Sequence, residues 1–236
     1  AQKCGGNCTK YGDPIPVTPY EVCPKDQVTT VKWYGCVGSR VDKSKPVLND
    51  LSPSIKYPGY ITTSQKCLTE ILPLTDDENP VKAAIAAMIT SRPGYTPQTY
   101  IPAGVIWGVN VLSPAEPFTE GAAYDQANTK PRKVIVLMTD GLNTRRVVPG
   151  TGDYTSANAK QRIDTNDDTT TICSYAKAQK IEVFTVAFKV DDIAAKTMLQ
   201  ACATDQSHYY EASDSDKLLA AFSGIAQSLR QVRLAR

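Results

Sequence analysis

Histidine is all but missing: His208 is the single one in 236 residues. It falls at the start of a predicted strand with no nucleophile suggested nearby, so a structural role outweighs general-base duty. The G-x-S-x-G elbow and the G-x-x-x-x-G-K-[ST] phosphate loop are also absent, and no enzyme class is indicated. Nor is there an excess of charge of one sign. Lys plus Arg number 26 against 24 Asp plus Glu, a formal net charge of +2. Without a long basic run, neither a nucleic-acid groove nor a polybasic membrane patch is indicated. No apolar run reaches the roughly 20 residues needed to span a bilayer. The opening "AQKCGGNCTK" lacks the apolar centre of a signal peptide. The chain is therefore expected to be either cytosolic or a processed or truncated product.

Cysteine favours the second of these. There are seven: Cys4, Cys8, Cys23, Cys36, Cys67, Cys173 and Cys202. Three fall among Gly, Pro and Thr at the start, as in a loop-rich segment stapled by disulfides in an oxidising compartment. Zinc is the weaker reading of "CGGNC", because paired C-x-x-C spacing is absent and the one histidine is remote. Seven is odd, so one thiol is free or pairs outside this chain. With 42% hydrophobic residues the chain can bury a core as one or two domains.

Texture changes along the chain. Residues 1–65 are rich in Pro, Gly, Tyr, Lys and Asp, with one clear strand in "TTVKWYGCVG", and read as a Cys-rich irregular lobe. Residues 66–236 are regular. "CLTEILPL" reads as a buried strand. Asn79 then serves as N-cap and Pro80 as first helical residue, with Val81, Ala84, Ile85 and Met88 on one apolar face. "IPAGVIWGVNVL" reads as a largely buried helix in which Gly104 and Gly108 permit close backbone approach. "KVIVLM" is a continuous apolar strand of the parallel-sheet type. After a polar excursion over 143–167, a helix is expected over 169–180, marked by Ile172, Tyr175 and Ala176. "EVFTVAFKV" follows as a strand, then a helix on Ala195, Met198, Leu199 and Cys202, and a short strand "HYYEA". Ser213 with Asp216 forms a capping-box-like start to a last helix carrying Leu218, Leu219, Phe222, Ile225, Ala226 and Leu229. Alternating strands and helices imply an α/β fold with a parallel sheet covered on both faces.

Ligands of such sheets gather beyond the carboxyl ends of the strands. Asp140 ends the strand "VIVLMT", and Thr99 lies in the loop before the helix "IPAGVIWGVNVL". A carboxylate and a hydroxyl at one rim suit a hard divalent cation. Taken alone, a plain turn and a plain N-cap is the simpler reading, since short motifs often match by chance. "DTNDDT" places Asp164, Asn166 and Asp168 as an EF-hand begins, but Thr169 and Tyr175 stand where Gly and Glu are needed. A solvated loop capping the following helix is the better reading.

The segments "TYIPAGVIWGVNVLSPAEPF", "KVIVLMTDGLNT", "ICSYAKAQKIEVFTVAF" and "MLQACATDQSHYYEASDSDKLLAAFSGIAQSLRQVRLAR" together resemble the C-terminal half of a von Willebrand factor A domain. More narrowly, with "WYGCVGSR" and "CLTEILPLTDDENPVKAAIAAM", they are similar to the bacterial TadG-like proteins of tight-adherence (Flp-type) pilus systems, over roughly residues 30–236. The resemblance implies a Rossmann-like parallel sheet flanked by helices, and a metal-ion-dependent adhesion site in which Thr99 and Asp140 are ligands. The cation would be Mg2+ first, with Ca2+ or Mn2+ as alternatives. In the TadG-like proteins that the chain resembles, the D-x-S-x-S loop lies upstream of the stretch matched here, so the first strand and part of the ligand set are expected from a missing N-terminal portion of the same polypeptide. Cys4, Cys8 or Cys23 could bond to that portion.

The resemblance further implies disulfides Cys173–Cys202 and Cys36–Cys67, and a periplasmic, cell-surface or extracellular bacterial location. The implied function is non-catalytic binding of a protein partner that offers an acidic residue, in association with pilus components. Asn143, Thr144 and residues 145–165 would shape partner choice. The alternative is a structural minor component of a pilus or surface assembly whose contacts need no metal.

Overall fold

A computed structural model describes residues 31–52, 54–62, 68–89 and 98–230. Cys4, Cys8, Cys23 and Cys67 lie outside these residues. In chain order the elements are β1 (Lys32–Val37), β2 (Val41–Asp42), β3 (Lys45–Pro46), β4 (Gly59–Thr62), α1 (Glu78–Ala86), α2 (Ile101–Leu112), β5 (Val134–Thr139), β6 (Arg145–Val147), β7 (Tyr154–Ser156), α3 (Ala159–Ala178), β8 (Glu182–Phe188), α4 (Ile193–Cys202), β9 (Tyr209–Ala212) and α5 (Ser215–Arg230). The chain divides into two compact units, residues 1–34 with 61–66, and residues 35–60 with 67–236.

The second unit is α/β. Its main sheet has the order β5-β8-β9 and is parallel throughout, with Val134 opposite Glu182 and Thr185 opposite Tyr209. β8 takes the middle because Val183, Phe184, Thr185, Val186 and Ala187 are all buried, as a strand covered on both faces requires. One face packs Val183 and Ala187 against Val105, Val109, Ile172, Ala176, Met198 and Leu199 from α2, α3 and α4. The other sets Phe184 and Val186 against Ala221 and Ile225 of α5.

α3 is longer than expected, starting at Asn158 rather than near residue 169. The Asn158 side chain accepts from Gln161 N and the Gln161 side chain accepts from Asn158 N, both at 3.0 Å, a reciprocal cap. Its buried positions Thr165, Thr169, Ile172, Cys173 and Ala176 form one helical stripe, but the first two are threonines. Their hydroxyls donate back to the carbonyls of Gln161 at 2.8 Å and Thr165 at 3.0 Å, which is how a helix interior tolerates them. An apolar-period reading sees only the second half. "DTNDDT" thus lies inside a helix, which overturns both the solvated-loop and the calcium-loop readings. Cys173 and Cys202 join α3 to α4 in a disulfide with Cα atoms 5.1 Å apart. Cys36 is also disulfide-bonded.

Four further expectations are corrected. Residues 68–74 form no strand, and Leu68, Ile71 and Leu74 are exposed. α1 is capped two residues earlier than expected, with Asp77 Oδ1 accepting from Asn79 N at 2.9 Å, and it buries no residue: Val81 and Ile85 are exposed, as is Met88 just beyond its end. α5 is capped by Asp214, whose Oδ1 accepts from Lys217 N at 2.9 Å, and only Ala221 and Ile225 are buried while Leu219, Phe222 and Leu229 are exposed. Gly108 does rest on Ile135, where a Cβ would sit 3.7 Å from its side chain, but Gly104 faces open space. A common cause underlies the exposed stripes. An amphipathic segment is buried only where a second surface meets it, and among the described residues none covers α1 or the outer flank of α5.

Residues 35–60 are held to this unit by buried charge. The Asp50 carboxylate, 3% exposed, accepts hydroxyl bonds from Ser113, from Tyr124 at 2.5 Å and from Tyr175. Burial pushes its pKa up, but the three hydroxyls outweigh that and hold it below the usual carboxylate value. Arg40 donates to the carbonyls of Ser52 at 2.8 Å and Asn49. The β6–β7 hairpin closes on the same segment. Gly152 O accepts from Ser39 N at 2.9 Å, and at φ +78° a Cβ on Gly152 would stand 2.1 Å from the Ser39 carbonyl oxygen, so only glycine fits.

Candidate functional site

The carboxyl ends of β5 and β8 define the rim where a ligand of this sheet type is expected. Asp140 directly follows β5 and is exposed. Thr99 is half-buried and stands two residues before α2. The backbone brings their segments together. Thr99 N–H donates to Thr144 Oγ1 at 2.7 Å, and the Thr99 carbonyl accepts from the N–H groups of Thr144 and Arg145, both at 2.9 Å. Ile101 N–H, at the first turn of α2, donates to Asn143 Oδ1 at 2.7 Å. The helix has no cap of its own, since Tyr100 at the N-cap position contributes no side-chain bond. The loop after β5 therefore caps α2 from outside, satisfying donors that a helix start leaves orphaned. The plain N-cap reading of Thr99 is thereby replaced.

Asn143 is the hub. It is 1% exposed, and its amide nitrogen donates to Asn166 Oδ1 at 2.8 Å and faces Met198 Sδ at 3.8 Å. One side chain thus ties the rim to α2, α3 and α4. So deep a residue cannot contact a partner, which corrects its expected part in partner choice. In the sequence a buried asparagine and a loop asparagine look alike, and only the fold separates them.

Neither the Asp140 carboxylate nor the Thr99 hydroxyl makes a side-chain hydrogen bond among the described residues. The intervening Thr139 hydroxyl turns back on its own loop, 3.0 Å from the Gly141 carbonyl. The two remaining donors are hard oxygens, one anionic and one neutral. They match a Mg2+- or Ca2+-type ion in kind but are too few for six positions. No group of three His, Cys, Asp or Glu side chains suited to a metal occurs among the described residues. Such an ion would be held by Asp140 and Thr99, with water and another segment completing the shell.

Beside the rim, α3 presents Asp164, Asp167 and Asp168. Burial first, and then the two neighbouring carboxylates, push Asp168 up to about 6. The Tyr100 ring lies 5.1 Å from that of Tyr154, and burial followed by the Asp168 charge raises the Tyr100 phenol.

The opposite end of the sheet holds His208. Its Nδ1 lies 2.8 Å from Asp205 Oδ1 and its Nε2 lies 2.7 Å from Glu182 Oε1, with the ring centroid 4.3 Å from that of Phe184. Arg132 Nε donates to the other oxygen of Glu182 at 2.7 Å. An imidazole with a carboxylate at each nitrogen is a clamp for its charged form, since both nitrogens then donate. Burial alone would lower its pKa, but the bonds to Glu182 and Asp205 prevail and raise it. Ser207 Oγ donates to Asp205 at 2.6 Å, so the hydroxyl nearest the imidazole is already held by a carboxylate.

No protein-family model matches the chain, and no curated protein matches it. Among solved structures the chain is similar to the crystal structure of the pilus adhesin SpaC from Lactobacillus rhamnosus GG, at 15% identity and a TM-score of 0.42 over 64% of this chain and 21% of that one. The chain thus spans about a fifth of the adhesin's length, and a likeness of this degree assigns no family. No helix among the described residues is long and apolar enough to cross a membrane.

Proposed function

We propose that this chain is a non-catalytic protein-binding module of von Willebrand factor A type, acting at a bacterial cell surface or in the periplasm. More narrowly, we place it with the TadG-like proteins of tight-adherence pilus systems, with residues 1–65 as a Cys-rich insertion lobe and 66–236 as the C-terminal part of the domain. One observation carries the reading: the Thr99 and Asp140 segments, 41 positions apart in the chain, are bonded to each other at the carboxyl rim of a parallel sheet. The Cys173–Cys202 disulfide suits an oxidising compartment.

In this reading Asp140 holds a divalent cation directly or through water, and Thr99 supplies a neutral hydroxyl. A cation held by few anionic ligands stays electron-poor and takes an acidic side chain of the partner as its last ligand. The bond is reversible and needs no chemistry. An upstream portion of the same polypeptide supplies the remaining ligands. It would pair with the free edge of β5, which is terminal in its sheet. Asp140→Ala is expected to abolish cation-dependent partner binding with the circular dichroism spectrum unchanged. Binding that persists in EDTA would refute the mechanism. It would favour the second reading, a structural component of a pilus or surface assembly, which the exposed apolar side chains of 68–89 also suit.

A further inference from the structure

We propose that Thr144 is the positioning residue of the Thr99–Asp140 site, setting where the Thr99 hydroxyl stands relative to the Asp140 carboxylate while itself touching no ion. The inference rests on the metal-binding reading above and concerns how that site is built.

Thr99 is held along its backbone from both sides, and Thr144 makes three of the four bonds, the hydroxyl-to-carbonyl one being the longest. Its Oγ1 accepts from Thr99 N–H at 2.7 Å, and its own N–H donates to the Thr99 carbonyl at 2.9 Å. Oγ1 also lies 3.4 Å from that carbonyl oxygen. The fourth bond comes from Arg145 N–H at 2.9 Å. A residue pinned at both its N–H and its C=O has the direction of its Cα–Cβ bond fixed, and so the small arc its hydroxyl can reach. Between Asp140 and Thr144 stand only Gly141, Leu142 and Asn143, and Asn143 is locked by Ile101 N–H and Asn166. The short arc 140–144 is thus anchored at its Asn143–Thr144 end. One end carries the carboxylate and the other carries the clamp on Thr99, so the two candidate ligands are spaced without contact between them. Ion ligands must be held within roughly 0.5 Å of their working positions, and a coil before a helix does not achieve that alone. The hydroxyl is what this position requires, because it can accept the N–H. In valine the methyl in place of Oγ1 leaves the Thr99 N–H unpaired with almost no change of volume.

The test is amide-resolved NMR on this chain with its upstream portion present, with Mn2+ as the paramagnetic probe, comparing wild type, Thr144→Val and Thr144→Ser. In the wild type Mn2+ is expected to broaden the amide signals of Thr99 and Asp140 together. In Thr144→Val the broadening should stay at Asp140 and fall several-fold at Thr99. Exchange of the metal-free Thr99 amide should rise about fivefold to tenfold, the equivalent of one lost hydrogen bond. Thr144→Ser, which keeps the acceptor, should restore both, and that rescue separates positioning from a general loss of fold. Equal Thr99 broadening in wild type and Thr144→Val overturns the positioning role and leaves the metal reading intact. Wild-type protein in which Mn2+ broadens neither amide overturns both.

Discussion

β5 and β8 lie side by side in one sheet, and "VIVLMT" and "EVFTVAF" read alike, yet the fold treats them differently. β8 is buried over five consecutive residues, Val183 to Ala187. β5 alternates: Ile135, Leu137 and Thr139 are buried, whereas Val136 and Met138 are 39% and 48% exposed. The side chains on β5's inner face meet α2, while its outer face extends beyond the reach of α5. An apolar run therefore states what a strand is able to bury. Whether it does so depends on a second layer. The contrast recurs between α4, where Ala195, Met198, Leu199 and Cys202 are all buried, and α1, where nothing is.

The contrast can be broken by substitution. Phe184→Ala on β8, at a side chain 2% exposed, is expected to cost about 3–5 kcal/mol of unfolding free energy. Met138→Ala on β5 should cost below about 1 kcal/mol. Urea denaturation of both variants measures the difference. Equal costs would mean that β5's outer face is covered in solution.

His208 sharpens the comparison from the other end, because it clamps the start of β8 through Glu182 and rests on Phe184. Its folded pKa is raised, so its contribution is fully present below the unfolded value near 6.5 and is lost as pH rises through the folded value. Wild-type stability should fall over that interval, and in His208→Gln the fall should vanish. NMR titration of the chain's single imidazole checks the assignment. A folded pKa at or below 6.5 would contradict the charged clamp.

Much of the fold is legible in the sequence because its signals are local. The helix "IPAGVIWGVNVL" and the strands ending at Thr139 and Phe188 are runs whose apolar content leaves one choice of element. The first half of α3 is not legible, since Thr165 and Thr169 occupy inward positions and satisfy their hydroxyls on the helix's own backbone. The β6–β7 hairpin hides in a polar stretch, its closure depending on Gly152 meeting Ser39 across 113 positions. "CLTEILPL" forms no strand for the reason β5 illustrates: composition gives it the capacity for burial, but Leu68, Ile71 and Leu74 stay exposed and Thr69 meets only the end of α1, through the Ala87 carbonyl at 2.9 Å. At the rim, Thr99 and Asp140 are legible as ends of elements. The parts played by Asn143 and Thr144 arise only when two loops meet, and no spacing encodes that.

Whether oxygens of Thr99 and Asp140 serve one ion is decided by anomalous diffraction from crystals soaked in Mn2+. A peak is expected at the β5 rim within about 2.0–2.6 Å of an Asp140 oxygen, with the Thr99 hydroxyl in the same shell directly or through one water. A peak elsewhere, or Thr99 and Asp140 side chains directed to opposite sides of the rim, would contradict a shared ion.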